Sequence, residues 1–328
     1  MVAPTDPGVS VALCTRNGAR FVGAQLHSIL AQSPAPAQLV VSDDDSSDDT
    51  LALARQAIGA ANARPEVHWI ENRPPLGVTK NFEGAVRAAT GGLIALSDQD
   101  DIWHAGKLER AVAIFDRDPE ALLLFTDARL VDAEGAPLGF GLFESLGLTE
   151  AELGVLESRH ALDALLRRNV ATGATVVFRR DLLEKALPFP SEWVHDEWLA
   201  IVAALHGGVR VLREQTVDYR QHGGNEIGVV QPTLAYRIRR MMQSRGTRNA
   251  ELAAKFGVLA DWADGVGYDE TTVSTLRAKA RFEAARAAFP SIRLARMPHV
   301  LALATRRLYP RFASQGWLDV VRDLVQRA

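Results

Sequence analysis

Three carboxylates stand within four residues in the segment Ser97-Asp98-Gln99-Asp100-Asp101. Carboxylates packed this closely repel one another by roughly a few kcal/mol when partly buried, unless a cation intervenes. One or two carboxylates, water and substrate phosphate make the hard oxygen site that suits Mg²⁺ or Mn²⁺. An acidic cap for a helix starting near His104 is the other reading, and it accounts for Asp101 better than for all three. A second acidic group, Asp43-Asp44-Asp45, fits two roles. One is recognition of a base or ribose; the other is the turn and helix cap that Ser46-Ser47-Asp48-Asp49-Thr50 would complete.

Asp196 opens an amphipathic helix marked by Trp198, Leu199, Val202 and Leu205. A carboxylate there either caps the helix or serves as a general base. His222 follows a strand and precedes Gly223-Gly224-Asn225; by residue type alone it is an incidental surface histidine. Trp103, Trp193 and Trp198 are candidates for stacking on sugar faces. Trp198 falls on the apolar face of its helix, which points to packing, whereas Trp193 sits in a loop beside Asp196 and is the acceptor-site candidate. Cys14, the single cysteine, lies in an apolar run and reads as a buried, inert thiol. No disulfide framework or cysteine-rich zinc site is open to this chain.

The elements that must position these residues alternate in type. Apolar runs at 9–15, 38–42, 67–70 and 93–97 read as strands, and 21–32, 49–58 and 79–89 as helices between them. Such alternation predicts right-handed βαβ units and an α/β fold with a mostly parallel sheet flanked by helices. Ligands then gather beyond the carboxyl ends of the strands. Thr15-Arg16-Asn17, Asp43-Asp44-Asp45 and Asp98 to Asp101 all fall there, on one acidic rim. No G-x-G-x-x-G or G-x-x-x-x-G-K loop is present, so bound phosphates call for another partner, most simply a divalent metal. Further on, 174–178 reads as a strand, 181–187 and 196–205 as helices, and 209–212 and 216–220 as strands.

The 328 residues, 47% hydrophobic and 23% charged, are ordinary globular composition, enough for one large or two modest domains. Residues 229–328 hold 17 Lys+Arg against 8 Asp+Glu, a net of +9; the remaining 228 hold 20 against 32, a net of −12. An acidic catalytic domain over 1–228 and a basic helical region over 229–328 are the expected organisation. The first residues lack a basic start and a long apolar run, and no apolar stretch approaches the roughly 20 residues of a membrane span, so a cytoplasmic protein is expected. Arg237, Arg239, Arg240, Arg245 and Arg248 suit anionic lipid headgroups at a membrane's inner face; a homodimer interface or a solvated helical bundle fits them as well. Aromatic residues are not interleaved among these arginines, which argues against nucleic acid.

The order of the motifs carries more than any one of them. Val9 to Gly18, Val40 to Thr50, Asn72…Gly77…Asn81-Phe82 and Leu96-Ser97-Asp98-Gln99-Asp100-Asp101-Ile102-Trp103…Lys107-Leu108 resemble the family 2 inverting glycosyltransferases of GT-A fold. Asn169…Thr172-Gly173, His195 to Ala200 and Tyr219 to Asn225 extend the likeness over residues 8–228 and look like its bacterial rhamnosyltransferase branch. Asp45 departs from the pattern, which more often has glycine there.

The resemblance implies a nucleotide-sugar donor, with L-rhamnose from dTDP-rhamnose first and a UDP-hexose second, and a glycan or lipid-linked glycan acceptor. It implies that Thr15, Arg16, Asn17, Asp43, Asp44, Lys80 and Asn81 surround the nucleotide, with Asp98 at the ribose or metal shell. Asp100 would be the metal ligand with His222 as a further one, Asp196 the catalytic base, and Gly173 and Trp193 part of the acceptor side. A metal-dependent sugar nucleotidyltransferase would share the acidic rim, but Thr15-Arg16-Asn17-Gly18-Ala19-Arg20 is a poor version of the phosphate loop it needs. A non-catalytic carbohydrate-binding protein would not require Asp100 and Asp196 together.

Overall fold

The computed structural model describes residues 8–222 and 246–326. The chain divides into two compact units: Met1–Leu162, Val170–Phe189 and Val194–Val230 form one, and Asp163–Asn169, Pro190–Trp193 and Gln231–Ala328 the other.

The first unit opens with β1 (Val9–Thr15), α1 (Val22–Leu30), β2 (Gln38–Asp44), α2 (Thr50–Ala60), β3 (Glu66–Asn72), α3 (Val78–Ala88) and β4 (Leu93–Ser97). Every residue of β1, β2 and β4 is buried, as continuous apolar runs require when helices cover both faces of a sheet. β3 alternates exposed and half-buried residues because it is an edge strand. Leu26 and Ile29 of α1 pack with Val11, Leu13 and Leu39 in the core. Each such burial is worth about 1.5–3 kcal/mol against exposure.

The unit continues through β5 (Ile102–Trp103), α4 (Lys107–Arg117), β6 (Leu123–Val131), β7 (Pro137–Gly141), β8 (Val177–Arg179), α5 (His195–Leu205) and β9 (Val209–Arg220). The strand order is β3-β2-β1-β4-β8-β6-β9-β5, with β7 on β6. The first four strands are parallel, as their sequence pattern predicts. The other half is mixed: β8 runs antiparallel to β4 and β6, β5 antiparallel to β9, and β6 parallel to β9.

The two strands expected at 209–212 and 216–220 are one strand, whose register on β6 shifts around Asp127. The strand expected at 174–178 begins instead as a 3₁₀ turn, Gly173–Thr175. Asp101 is not a helix cap, because α4 starts at Lys107 after Gly106.

The second unit contains α6 (Arg248–Gly265), α7 (Glu270–Ala287), α8 (Arg293–Thr305), α9 (Leu308–Phe312) and α10 (Leu318–Val325). Asp269 caps α7 by accepting the Thr272 N–H at 2.9 Å. Phe256, Leu259, Leu276, Phe282, Tyr309 and Phe312 form its buried interior. Ion pairs run through that interior. Lys279 Nζ lies 2.6 Å from Glu283 Oε1, Arg286 Nε lies 2.7 Å from Asp323 Oδ2, and the Tyr309 hydroxyl donates to that same oxygen. Among the described residues no helix is long and apolar enough to cross a membrane. Arg237, Arg239, Arg240 and Arg245, and Gly223 to Asn225, lie outside the described residues.

Candidate active site

Parallel register aligns the strand ends. Thr15 of β1 pairs with Asp43 of β2, and Leu13 with Ser97 of β4, so three polar segments leave the sheet side by side. Thr15 Oγ1 donates to Asp43 Oδ1 at 2.7 Å, and Ser46 supplies its N–H and hydroxyl to the same carboxylate. Asn17, at φ +49, accepts the Ser47 N–H on its side-chain oxygen at 2.9 Å. Both backbone groups of Arg16 bond the side chain of Gln99, at 2.8 and 2.9 Å. The loops after β1, β2 and β4 are thereby tied into one surface. Asp43 and Asp44 are buried, while Arg16 and Asn17 are exposed on it.

Two residues expected around the nucleotide are committed elsewhere. Asp44 accepts the N–H groups of Leu76 and Gly77 at 2.7 and 2.9 Å, holding the turn before α3. Asn81, 3% exposed, accepts from the Ser42 hydroxyl and from Asn72 Nδ2 and donates to Ser42 O. Both stiffen the rim from behind and are not displayed on it; a buried amide or carboxylate with its bonds made is costly to redirect. Lys80 is half-exposed, with Nζ 2.6 Å from Glu83 Oε2 and donating to Phe189 O at 2.9 Å.

Asp100 and Asp101 have different surroundings. Asp100 Oδ2 lies 2.7 Å from His222 Nε2, joining the end of β4 to the residues after β9 across 122 positions. The His222 ring stacks on Phe21 at 5.0 Å, which fixes its plane. Asp101 is buried; Oδ1 accepts the Arg220 N–H at 3.0 Å and Oδ2 has no partner. Burial, then the charges of Asp100 and Asp98, push its carboxyl well above the usual carboxylate range. Lys107, also buried, donates from Nζ to Ala174 O at 2.7 Å and sits 4.5 Å from the centre of the Trp103 ring. Burial pulls its ammonium down to about 7, against the pull of Asp101 and Asp98. Trp103 is thus packed against a cation and is buried, leaving its sugar-stacking role without an exposed face.

Asp196 sits in the first turn of α5, 6% exposed. The Gly173 N–H donates to its Oδ2 at 2.8 Å and the Glu197 N–H to its Oδ1 at 2.7 Å. A Cβ on residue 173 would come 3.2 Å from His195 Nε2 and 3.5 Å from Asp196 Oδ2, so glycine is what the close approach admits. His195 stacks on Phe82 at 3.9 Å, both ring nitrogens buried without a hydrogen-bond partner, and burial takes its pKa down to about 3. Burial pushes the Tyr219 phenol up, and so do the charges of Asp98, Asp101, Asp100 and Asp196, in that order. One ring therefore stands within electrostatic reach of the acidic segment and of Asp196.

Trp193 falls in the helical unit. Its Nε1–H donates to Lys255 O at 3.1 Å, Phe256 packs edge-on against it, and Lys255 Nζ lies 4.3 Å from its ring centre. At 4% exposure it is a core residue of that unit, which corrects the expectation of a stacking face for an acceptor.

Among the described residues no three His, Cys, Asp or Glu side chains gather into a metal cage. Mg²⁺ and Mn²⁺ do not need one, since one or two protein ligands beside phosphate and water suffice. Asp100 and His222 offer one carboxylate oxygen and one imidazole nitrogen side by side, a pair of donors that fits such an ion.

An acidic rim at the carboxyl ends of a parallel βα array lies where open α/β sheets gather their ligands. The model of glycosyl transferase family 2 matches residues 10–185, more than half of the chain, and the chain belongs to that family. It is 26% identical over 221 residues to an uncharacterised glycosyltransferase of Nostoc sp., covering 66% of each. It is 27% identical over 199 residues to the UDP-Glc:alpha-D-GlcNAc-diphosphoundecaprenol beta-1,3-glucosyltransferase of Escherichia coli, covering 59% of this chain and 69% of that one. The chain spans 66% of the length of the Nostoc relative and 59% of that of a Mycobacterium bovis relative.

Among solved structures, S. aureus TarS 1-349 in complex with UDP-GlcNAc shares the fold at a TM-score of 0.56 and 19% identity, over 97% of this chain and 90% of that one. A mannosyltransferase from Pyrobaculum calidifontis in complex with GDP-Man and Mn²⁺ does so at 0.52 and 20%, over 98% and 87%. These likenesses confirm the GT-A-like fold.

Proposed function

We infer that this chain transfers a sugar from a pyrimidine nucleoside diphosphate to a hydroxyl of a glycan or lipid-linked glycan, with inversion at the anomeric carbon. Residues 1–228 would do the chemistry and 229–328 form the helical region. The observations that carry the reading are the Asp100–His222 pair, 2.7 Å apart beyond the end of β4, and Asp196 held by the Gly173 and Glu197 N–H groups.

Asp43, anchored by Thr15 and Ser46, keeps acceptor capacity for the ring N–H that uracil and thymine share. Exposed Arg16 and Asn17, with Lys80, suit the nucleotide's phosphates, and Asp98 its ribose. Asp100 and His222 would hold Mg²⁺ or Mn²⁺, which when bound supplies Lewis-acid neutralisation of the diphosphate. Asp196, oriented by the Gly173 and Glu197 N–H groups, takes the proton of the acceptor hydroxyl as its oxygen bonds to the anomeric carbon. The bond from that carbon to the diphosphate breaks on the opposite face, and the nucleoside diphosphate leaves with the electron pair. General-base help of this kind is worth about 10²–10⁴-fold.

Two donors fit. The wording Ser97-Asp98-Gln99-Asp100-Asp101-Ile102-Trp103 favours dTDP-L-rhamnose, and the UDP-glucose-using relative of E. coli favours a UDP-hexose. Slow donor hydrolysis, measured across dTDP-, UDP- and GDP-sugars with Mn²⁺ present, decides between them. Turnover of none overturns the transferase reading. Asp100→Ala should abolish the Mn²⁺-dependent part of nucleotide binding in calorimetry, and unchanged binding would remove Asp100 and His222 as the ion's holders.

A further inference from the structure

Twelve large hydrophobic side chains are exposed among the described residues, and eight of them fall between residues 292 and 325. They are arranged in register with two helices. α8 turns Leu294, Met297 and Leu301 outward, opposite its buried Arg296, Val300 and Leu303. α10 turns Leu318, Val321 and Val325 outward, opposite its buried Asp319 and Asp323. Ile292 and Trp317, 70% and 53% exposed, immediately precede the two helices. The helices are neighbours, since Arg296 Nη1 donates to Asp323 O and Gln326 O at 3.2 and 2.6 Å. A helix on the surface of a soluble fold keeps its apolar stripe on the buried side. These two carry a second stripe facing outward, and clustered exposed apolar surface marks an interaction site.

Charge selects the occupant. From residue 288 to 326 the only acidic residues are Asp319 and Asp323. Both are fully buried and engaged: Asp323 by Arg286 and Tyr309, Asp319 by Arg322 and the Gln315 N–H. The exposed charges of this stretch, Arg293, Arg306, Arg307 and Arg311, are all positive. A second copy pairing through the same face would set these arginines against their equivalents. Apolar stripes with an exposed tryptophan, flanked by arginines and free of exposed acid, match the headgroup boundary of an anionic bilayer.

We propose that α8 and α10 form the face by which this chain rests on an anionic lipid bilayer. The apolar residues enter the headgroup–acyl boundary and the arginines meet lipid phosphates. The inference is independent of the transfer chemistry, because donor hydrolysis in solution reports one and vesicle binding the other.

Co-sedimentation of the full chain with vesicles of phosphatidylcholine, alone or mixed with phosphatidylglycerol, tests it. Wild type should bind the mixed vesicles at least about tenfold more tightly, each basic residue near such a surface adding to the affinity. The triple variant Leu294→Gln/Leu301→Gln/Leu318→Gln should lose about tenfold or more on the mixed vesicles. Arg293→Gln/Arg306→Gln/Arg307→Gln should lose the preference for phosphatidylglycerol. All six positions are exposed, so thermal midpoints and nucleotide binding should match wild type. Failure of wild type to bind mixed vesicles overturns the proposal, as does equal binding by the folded leucine variant. A dimer, seen by light scattering, that the leucine variant dissociates while vesicle binding stays unchanged would instead assign the face to a second copy.

Discussion

The two units handle charge in opposite ways. In the helical unit, Lys279, Glu283, Arg286 and Asp323 are as buried as phenylalanines, and each charge faces its opposite within about one bond length of ideal. In the α/β unit, Asp98, Asp100 and Asp101 leave one strand end together, with Asp101 forced toward its neutral form by burial first and then by the charges of Asp100 and Asp98. A fold that merely needed to stand would balance that end as the helical unit balances its interior. Charge matched inside the protein is architecture; carboxylates gathered at a strand end are the kind of site the proposed function requires.

That contrast can be broken by substitution. Asp196→Asn keeps the shape and both backbone donors nearby but cannot take a proton. Transfer should fall by about 10²–10⁴-fold with nucleotide affinity retained, and undiminished turnover would end its role as base. On the other side, Arg286→Ala strands Asp323 in the interior. Denaturant unfolding should show a loss of about 3–5 kcal/mol, because a buried charge loses its partner, while Mn²⁺-dependent nucleotide binding below the transition stays intact. If binding fell with stability, the division between architectural and functional charge would be wrong.

Smaller effects sharpen the comparison. Gly173→Ala presses a methyl to 3.2 Å from His195 Nε2, which must give by a few tenths of an ångström, and brings it into contact with Asp196 Oδ2 at 3.5 Å. Catalysis is sensitive to placement on that scale, and kcat should drop roughly 3- to 10-fold with KM for donor little changed. An unaltered kcat would show that Gly173 does not set the position of Asp196.

A further effect concerns pH. His195 holds a folded pKa of about 3, below its ordinary value of 6.5, because burial disfavours the charged ring. The unfolded chain then binds the extra proton between those limits, so stability is lost as pH falls from about 6.5 toward 3. His195→Phe, which keeps a ring on Phe82, should flatten the fall of the urea midpoint over that range. An identical slope would mean that other groups carry it.

The sequence was a good guide wherever local pattern and local structure coincide. β1 and β4 lie where their apolar runs begin and end, because a strand buried on both faces reads as a nearly continuous apolar run. It was a poor guide where tertiary partners decide. Nothing local says that β9 is one strand bent on β6, or that the two-residue β5 belongs to the sheet. The same division runs through the site. Asp100 and Asp196 announce themselves by motif, and their neighbours Lys107, Arg220, Tyr219 and His195 are present in the same motifs without any sign of what they touch. Trp193 misled because its loop position is local, whereas the Phe256 and Lys255 that bury it lie more than sixty residues away.

The 122-residue span between Asp100 and His222 also sets an order of events during synthesis. At about 5–20 residues per second, roughly 6 to 24 s separate the emergence of the two. Through that interval the parallel strands can pair and their helices can dock, while the acidic segment waits for its histidine. The Asp100–His222 pair therefore forms only after the parallel strands have emerged, and a ribosome stalled short of β9 would leave that half-sheet without it.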